Sequence, residues 1–323
     1  QTLENANQIS FDTETTSTDQ MQATLVGISL AVDEDGGFYI PVGHLNPGEK
    51  QLPKREVINA IRRYLENESV PKIGHNIKYD AVILARNGID VKPLSFDTMI
   101  AEWLINPNSR SLGLKNLAWV RLNYKMTEIE QLIGRGKKQR SMADLRIDEV
   151  AEYASDDAVI PLLLKNELER ELEENQVLQL FNNIEMPLIQ VLADMEMAGI
   201  ALDVDYLKQF SGELDERIGE IKTQIFEVVG SEINLNSPQQ LSEALFDRLQ
   251  LTPPDRTQKT ASGFYSTAAG TLEAMKGEHP VIDWILEYRE LSKLKNTYVD
   301  ALPLQVNLDT GRVHTSYNQT GSV

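Results

Sequence analysis

Phe11-Asp12-Thr13-Glu14-Thr15 closes the first apolar, β-branched segment of the chain, Gln8 to Asp12. Residues two apart on a strand point to the same face, so Asp12 and Glu14 stand side by side at a strand end and can share a metal ion. Asp-x-Glu alone is a common pattern and more often marks a solvated strand edge. Its neighbours decide what surrounds it. Thr24 to Val32 and Gly37 to Val42 are two more strand segments, with Gly36-Gly37 as the hairpin turn. Lys54 to Leu65 has helical periodicity, Lys72 to Gly74 leads out of a short strand, and Asp80 to Arg86 continues as a helix ended by Asn87-Gly88. A mixed sheet flanked by helices satisfies this order, which places the first part of the chain in the α/β class.

Two further polar patterns stand out. In Gly74-His75-Asn76-Ile77-Lys78-Tyr79-Asp80, Asn76 and Asp80 are one helical turn apart and share a face at a helix start. Alone this is an N-cap followed by an exposed acid. In Tyr153-Ala154-Ser155-Asp156-Asp157, Tyr153 and Asp157 have the same i, i+4 relation, whereas Asp156 lies about 100° round the helix. Asp157 is therefore the expected partner of Tyr153. His75 reads as a structural histidine rather than a ligand.

From about Asp148 the pattern changes to long amphipathic helices: one to about Leu172, then Leu178 to Met197 and Val204 to Val229. Stripes such as Leu188, Val191, Leu192 and Met195 are expected to be core packing. Gln250 to Gly277 is rich in Thr, Pro, Ser, Ala and Gly and reads as a long mobile connection with one short helix. A helix over Val281 to Tyr298 returns from it, and Leu304 to Gln319 alternates around Asp309-Thr310-Gly311 as a hairpin. The expected domains are 1–177, an α/β unit; 178–302, mostly helical; and 303–323, a hairpin that begins something further.

The chain has 323 residues, 41% hydrophobic and 25% charged, an ordinary globular composition for two domains. It contains no cysteine, which excludes disulfides and thiolate metal sites and agrees with a reducing compartment. No apolar run approaches the roughly 20 residues of a membrane span, and the N-terminus lacks a secretory layout; the expected location is the cytoplasm. The formal charge of −18 argues against a polyanionic partner only if charge is evenly spread. It is not. Leu251 to Tyr298 carries six Lys/Arg and six Asp/Glu, and Gly134-Arg135-Gly136-Lys137-Lys138-Gln139-Arg140 is a basic loop.

In this order the three carboxylate motifs resemble the DEDD exonuclease superfamily, whose domain is ribonuclease H-like. The match is to its tyrosine subgroup, found in the proofreading domain of bacterial family A DNA polymerases of the polymerase I type. The similarity continues through Phe96-Asp97-Thr98-Met99 and Ser111-Leu112-Gly113-Leu114, then the thumb-like Asn234 to Leu241 and Leu286 to Leu291, and Thr310 to Gln319. It covers nearly the whole chain.

The resemblance implies a 3′→5′ exodeoxyribonuclease that uses two divalent ions, Mg²⁺ or Mn²⁺. Asp12, Glu14 and Asp157 would hold the ion that activates water, Asp12 would bridge to a second ion supported through water by Asp80, and Tyr153 would orient the attacking water. Hard cations and phosphodiester hydrolysis suit such an oxygen-rich set. Asn76 is expected to support the metal site or the terminal nucleotides. Thr18 stands where relatives have a Leu wedge and Ile129 where they have a Phe near the terminal base, so the grip on frayed ends is expected to be weaker. In the thumb, Lys259, Thr260, Ser262, Lys293, Lys295 and Asn296 are expected phosphate contacts that position DNA without reading sequence. The expected partners are single-stranded 3′ ends and primer-template duplex, bound by a monomer. The polymerases of the family continue beyond Val323 into palm and fingers, so polymerisation is not expected from this chain alone. The rival readings are a stand-alone RNA-trimming exonuclease of the superfamily and a non-catalytic DNA-holding module.

Overall fold

The computed structural model describes residues 2–255, 259–260 and 262–321. They form two compact units, Gln1–Gly199 with Thr315–Val323, and Ile200–His314.

In the first unit, β1 (Ile9–Thr15), β2 (Leu25–Ala31) and β3 (Gly37–Pro41) form an antiparallel meander. Helix α1 (Lys54–Leu65) leads to β4 (Lys72–Gly74), α2 (Ile77–Arg86) and β5 (Leu94–Asp97). β4 pairs parallel with β1 and with β5, giving the order β3-β2-β1-β4-β5. β1 is thus central, and its Ile9 and Phe11 are wholly buried. Every residue of β2 is buried, so it reads as a continuous apolar run rather than an alternating one. Helices α3 (Thr98–Ile105), α4 (Leu114–Leu122) and α5 (Ile129–Ile133) precede the long α6 (Ile147–Glu174). α6 lays Val150, Ala154, Ala158, Leu164, Leu168 and Leu172 against the other elements, a stripe at helical spacing.

Two polar devices fix these elements. Asp97 accepts from the amides of Asn76, Ile77, Met99 and Ile100, so one carboxylate caps both α2 and α3. Arg121 of α4 donates to Glu102 of α3 and to Glu167 and Glu171 of α6, the last pair two-pronged at 2.8 and 2.9 Å.

The expected Gly36-Gly37 turn is not what the glycines do. Neither has a positive φ, and Gly37 is the first residue of β3, paired with Ala31. A Cβ on Gly37 would lie 2.7 Å from the Ser155 carbonyl oxygen of α6. The missing side chain allows helix and sheet to approach, two residues from Tyr153 and Asp157.

The helical segment after α6 runs over Leu178–Leu180, a π-helical stretch Phe181–Glu185, and Met186–Ala198. Expected as the start of the second domain, it lies in the first unit: Phe181, Met186 and Ile189 join the sheet core, with the Phe181 and Phe96 rings 5.0 Å apart. Thr315 onward also belongs to this unit. Buried Glu196 accepts from Lys78 Nζ at 2.5 Å, Gln20 Nε2 at 3.0 Å and the Tyr317 amide at 2.7 Å.

The second unit is built on helices Val204–Val229 and Pro280–Lys293, close to their expected spans. Ile218, Ile221, Ile225 and Val229 form one stripe, packed in a core with Leu241, Leu245, Leu272, Ile282 and Ile285. Within Gln250–Gly277, residues 256–258 and 261 lie outside the described residues; Ala269–Ala274 is the expected short helix. The hairpin Val306–Asn307 with Arg312–Val313 is present, and a strand not foreseen, Ile200–Ala201, pairs with it antiparallel. Among the described residues, no helix is long and apolar enough to cross a membrane.

Gly37→Ala forces the α6 backbone away from β3, so it should cost about 1–3 kcal/mol, the usual penalty for overpacking. Urea titration checks this. Unchanged stability would mean that the approach of α6 to β3 is not tight.

Candidate active site

β1 delivers Asp12 and Glu14 on one face, and α6 brings Asp157 to them: one oxygen from each carboxylate lies within 4.8 Å of the others. Glu14 Oε1 and Asp157 Oδ1 are buried without a hydrogen-bond partner. Buried carboxylate oxygens left bare are costly, and a close trio of them suits a hard divalent cation. Asp156 turns elsewhere, accepting from the Tyr124 hydroxyl at 3.0 Å. Pro161 has no N–H, so the helical donor that would meet the Asp157 carbonyl is missing.

Asp80 stands outside this trio, in the first turn of α2, and accepts from both the amide and the hydroxyl of Thr13, between Asp12 and Glu14 in sequence. Asn76 holds the N-cap position of α2 in left-handed conformation with φ 55°, its side chain making no cap bond because Asp97 does that work. His75 is bonded to Thr98 Oγ1 at 2.9 Å, and burial lowers its pKa to about 3, so it is a neutral structural histidine.

Tyr153 is buried one turn before Asp157, and Lys115 of α4 donates to its Oη at 3.1 Å. A cleft of about 750 Å³ opens over the carboxylates, lined by Asn76, Ile129, Arg140 and Tyr153 and by the exposed Thr18. The structure thus brings Asp12, Glu14, Asp157, Tyr153, Asn76, Thr18 and Ile129 to one groove, with Asp80 behind it.

Burial raises the pKa of all four acids. Glu14 is pushed to about 8 by burial and then by Asp157 and Asp80; Asp80 reaches about 7 through burial, opposed by the two Thr13 bonds. Asp157 reaches about 6 through burial, opposed by Lys115 and the Tyr153 hydroxyl. Asp12 is raised by burial and then by Asp80, Asp157 and Glu14. Such a site holds protons at neutral pH that a cation must displace.

Residues 1–173 match the family described as 3′-5′ exonuclease, and residues 204–323 match DNA polymerase family A. The chain belongs to the family A DNA polymerases and carries their 3′-5′ exonuclease domain. It is 44% identical to the DNA polymerase I of Chloroflexus aurantiacus over 99% of this chain and 34% of the relative. It is 40% identical to that of Synechocystis, over 96% of this chain and 31% of the relative. Among solved structures, the POL domain of Pol1 from M. smegmatis, in complex with DNA primer-template and dNTP, is similar with a TM-score of 0.78 and 29% identity. That match covers 98% of this chain and 50% of the other. The chain spans about a third of the length of the polymerases it matches.

Within this family A chain, the expected thumb contacts fall into two groups. Lys259, Thr260, Ser262, Lys293 and Asn296 are exposed, with Lys259 Nζ 4.8 Å from the centre of the Tyr265 ring. Lys295 is not free to meet phosphate: it is largely buried and bonded to Asp300 at 2.7 Å, Ser211 at 2.8 Å and Asp215 at 3.2 Å. Sequence reading missed Lys115, Asp97 and Thr13. Asp97 before Thr98 had a visible signature, an acid followed by an apolar helix, but nothing local showed that it serves two helices. Lys115 directly follows the matched Ser111 to Leu114 and gave no signal of its own.

These shifts set the pH dependence of the metal-free fold. A carboxyl whose folded pKa exceeds its unfolded value keeps its proton longer when folded, so stability falls as pH rises through that interval. His75 works oppositely, but only below its unfolded value near 6.5. From pH 6.5 to 8, therefore, Glu14 and Asp80 should remove about 2 kcal/mol of stability in EDTA. Mn²⁺ should abolish the decline. Thermal melts across this window, with and without the ion, make the comparison; a rising or flat profile in EDTA would contradict the shared-proton site.

Proposed function

We propose that this chain is a two-metal-ion 3′→5′ exonuclease that trims single-stranded 3′ ends of DNA in the bacterial cytoplasm. The observation that carries the reading is the trio Asp12, Glu14 and Asp157, with two buried oxygens that accept no hydrogen bond, beside Tyr153 in an open groove. Asp12, Glu14 and Asp157 would hold one Mg²⁺ or Mn²⁺, and Asp12 with Asp80 would serve a second. When bound, divalent ions lower the pKa of water and stabilise charge on the phosphoryl group. The chain's own residues do the rest. Tyr153 orients the water through its hydroxyl, and Thr13 keeps Asp80 aimed at the site. Asn76, Thr18 and Ile129 flank the terminal nucleotides.

The helical unit is read as the thumb, with Lys259, Thr260, Ser262, Lys293 and Asn296 towards the phosphates of primer-template duplex, and the last residues as the start of a palm. Lys295 is withdrawn from that set because its ammonium is already bound by two carboxylates.

Asp12→Ala and Asp157→Ala should each abolish trimming of a labelled single strand in Mg²⁺ while the melting temperature without metal holds or rises, since like-charge crowding is relieved. Tyr153→Phe should slow turnover about 10- to 1000-fold, the effect of losing one positioned polar group. Trimming near the wild-type rate by either alanine variant would refute the site.

Strandedness gives a second test. A paired 3′ end must fray before it enters, which costs a few kcal/mol and less for a mismatch. Thr18 and Ile129 offer less apolar or aromatic surface for holding frayed bases apart than the Leu and Phe of relatives. Initial rates should fall in the order single strand, mismatched end, matched end. Equal rates on matched duplex and single strand would show that the groove opens ends actively.

A further inference from the structure

Lys115 reaches the carboxylates from the first turn of α4. Its Nζ lies 3.1 Å from Tyr153 Oη, 4.4 Å from the centre of the Tyr153 ring and 3.9 Å from Asp157 Oδ1. An ammonium has three donors and no acceptor, so the contact with Oη has one sense: lysine donates. Tyr153 stands one turn before Asp157 in α6, and its hydroxyl opposes the rise of the Asp157 pKa. A phenol oxygen has one proton and two lone pairs; with one lone pair taken by Lys115, a single acceptor direction remains. A water that donates to it has its own lone pairs fixed in direction. Without the lysine, the hydroxyl can rotate between acceptors.

The backbone that carries Lys115 is itself held. Arg121, six residues on in α4, is bonded to Glu167 and Glu171 of α6, the helix of Tyr153 and Asp157. The lysine and the tyrosine are therefore placed by one rigid helix pair.

We propose that Lys115 is a positioning residue for the exonuclease reaction, holding the Tyr153 hydroxyl in the one orientation that aligns the attacking water. This deepens the exonuclease reading and rests on it. The competing account is an ion pair that merely offsets carboxylate repulsion in the metal-free site. That role ends when cations fill the site, whereas positioning persists.

The test compares the wild-type chain, Lys115→Met, Lys115→Arg, Tyr153→Phe and the Lys115→Met/Tyr153→Phe double variant. Trimming of a labelled single strand is followed at saturating Mg²⁺, and Mn²⁺ binding is measured by calorimetry. Lys115→Met should lower kcat about 10- to 100-fold, the range seen when a supporting partner of a site group is lost, with KM unchanged. The double variant should be no slower than Tyr153→Phe alone, because the lysine acts through the hydroxyl. Lys115→Arg should recover part of the rate. Mn²⁺ should bind Lys115→Met at least as tightly as wild type, since a competing cation has gone. Wild-type kcat in Lys115→Met, multiplied losses in the double variant, a raised KM with kcat preserved, or weakened Mn²⁺ binding would each overturn the role while leaving the exonuclease intact. A wild-type chain that trims no DNA would overturn the exonuclease reading and this inference with it.

Discussion

Four carboxylates gathered in a buried cleft repel one another, and the fold around Asp12, Glu14, Asp80 and Asp157 is organised to hold them there. At a separation of 4 Å two like charges cost about 4 kcal/mol even with the screening typical near a protein surface. The opposing work is done by apolar packing that leaves the backbone no freedom to retreat. β1 is pinned at the centre of the sheet by Ile9 and Phe11, and α6 is seated on β3 at a residue that has no side chain. Asp80 is held by the two bonds from Thr13. Part of the cost is avoided rather than opposed, because the acids keep protons to unusually high pH.

The same geometry explains how much of the site could be read from the chain. Asp12 with Glu14, Asn76 with Asp80 and Tyr153 with Asp157 are local pairs, so strand and helix periodicity alone puts each pair on a face. That the three faces meet is a matter of topology, and it was reached through resemblance rather than spacing. Lys115 was invisible for a related reason: its partners lie 38 and 42 residues away, and a lysine near a helix start is otherwise an ordinary surface residue. Gly37 was legible as a glycine that matters but not as to why, since a turn and a close approach look alike in one dimension.

Amphipathic stripes carry a similar ambiguity. They place a helix over Leu178 to Met197, but the expected core stripe is not the buried face: Val191 and Met195 are exposed, whereas Met186, Ile189 and Ala193 are buried. Phe181 and Ile189 show the partner to be the sheet core, which carries the first unit past the expected boundary at residue 177. Lys295 shows the converse. A cluster of basic and amide residues suggested phosphate contacts, but two acids distant in sequence or five residues on, Asp215 and Asp300, had already claimed its charge.

The strand Ile200–Ala201 has a consequence of a different kind. It pairs with Arg312–Val313, so the first and last residues of the helical unit run side by side, at the spacing of neighbouring strands of about 4.8 Å. A module whose two ends emerge together can be inserted into, or lifted out of, a host chain without stretching either. The helical unit has the geometry of an exchangeable cassette, whose length and loop content can change without moving the ends of the chain that enter and leave it.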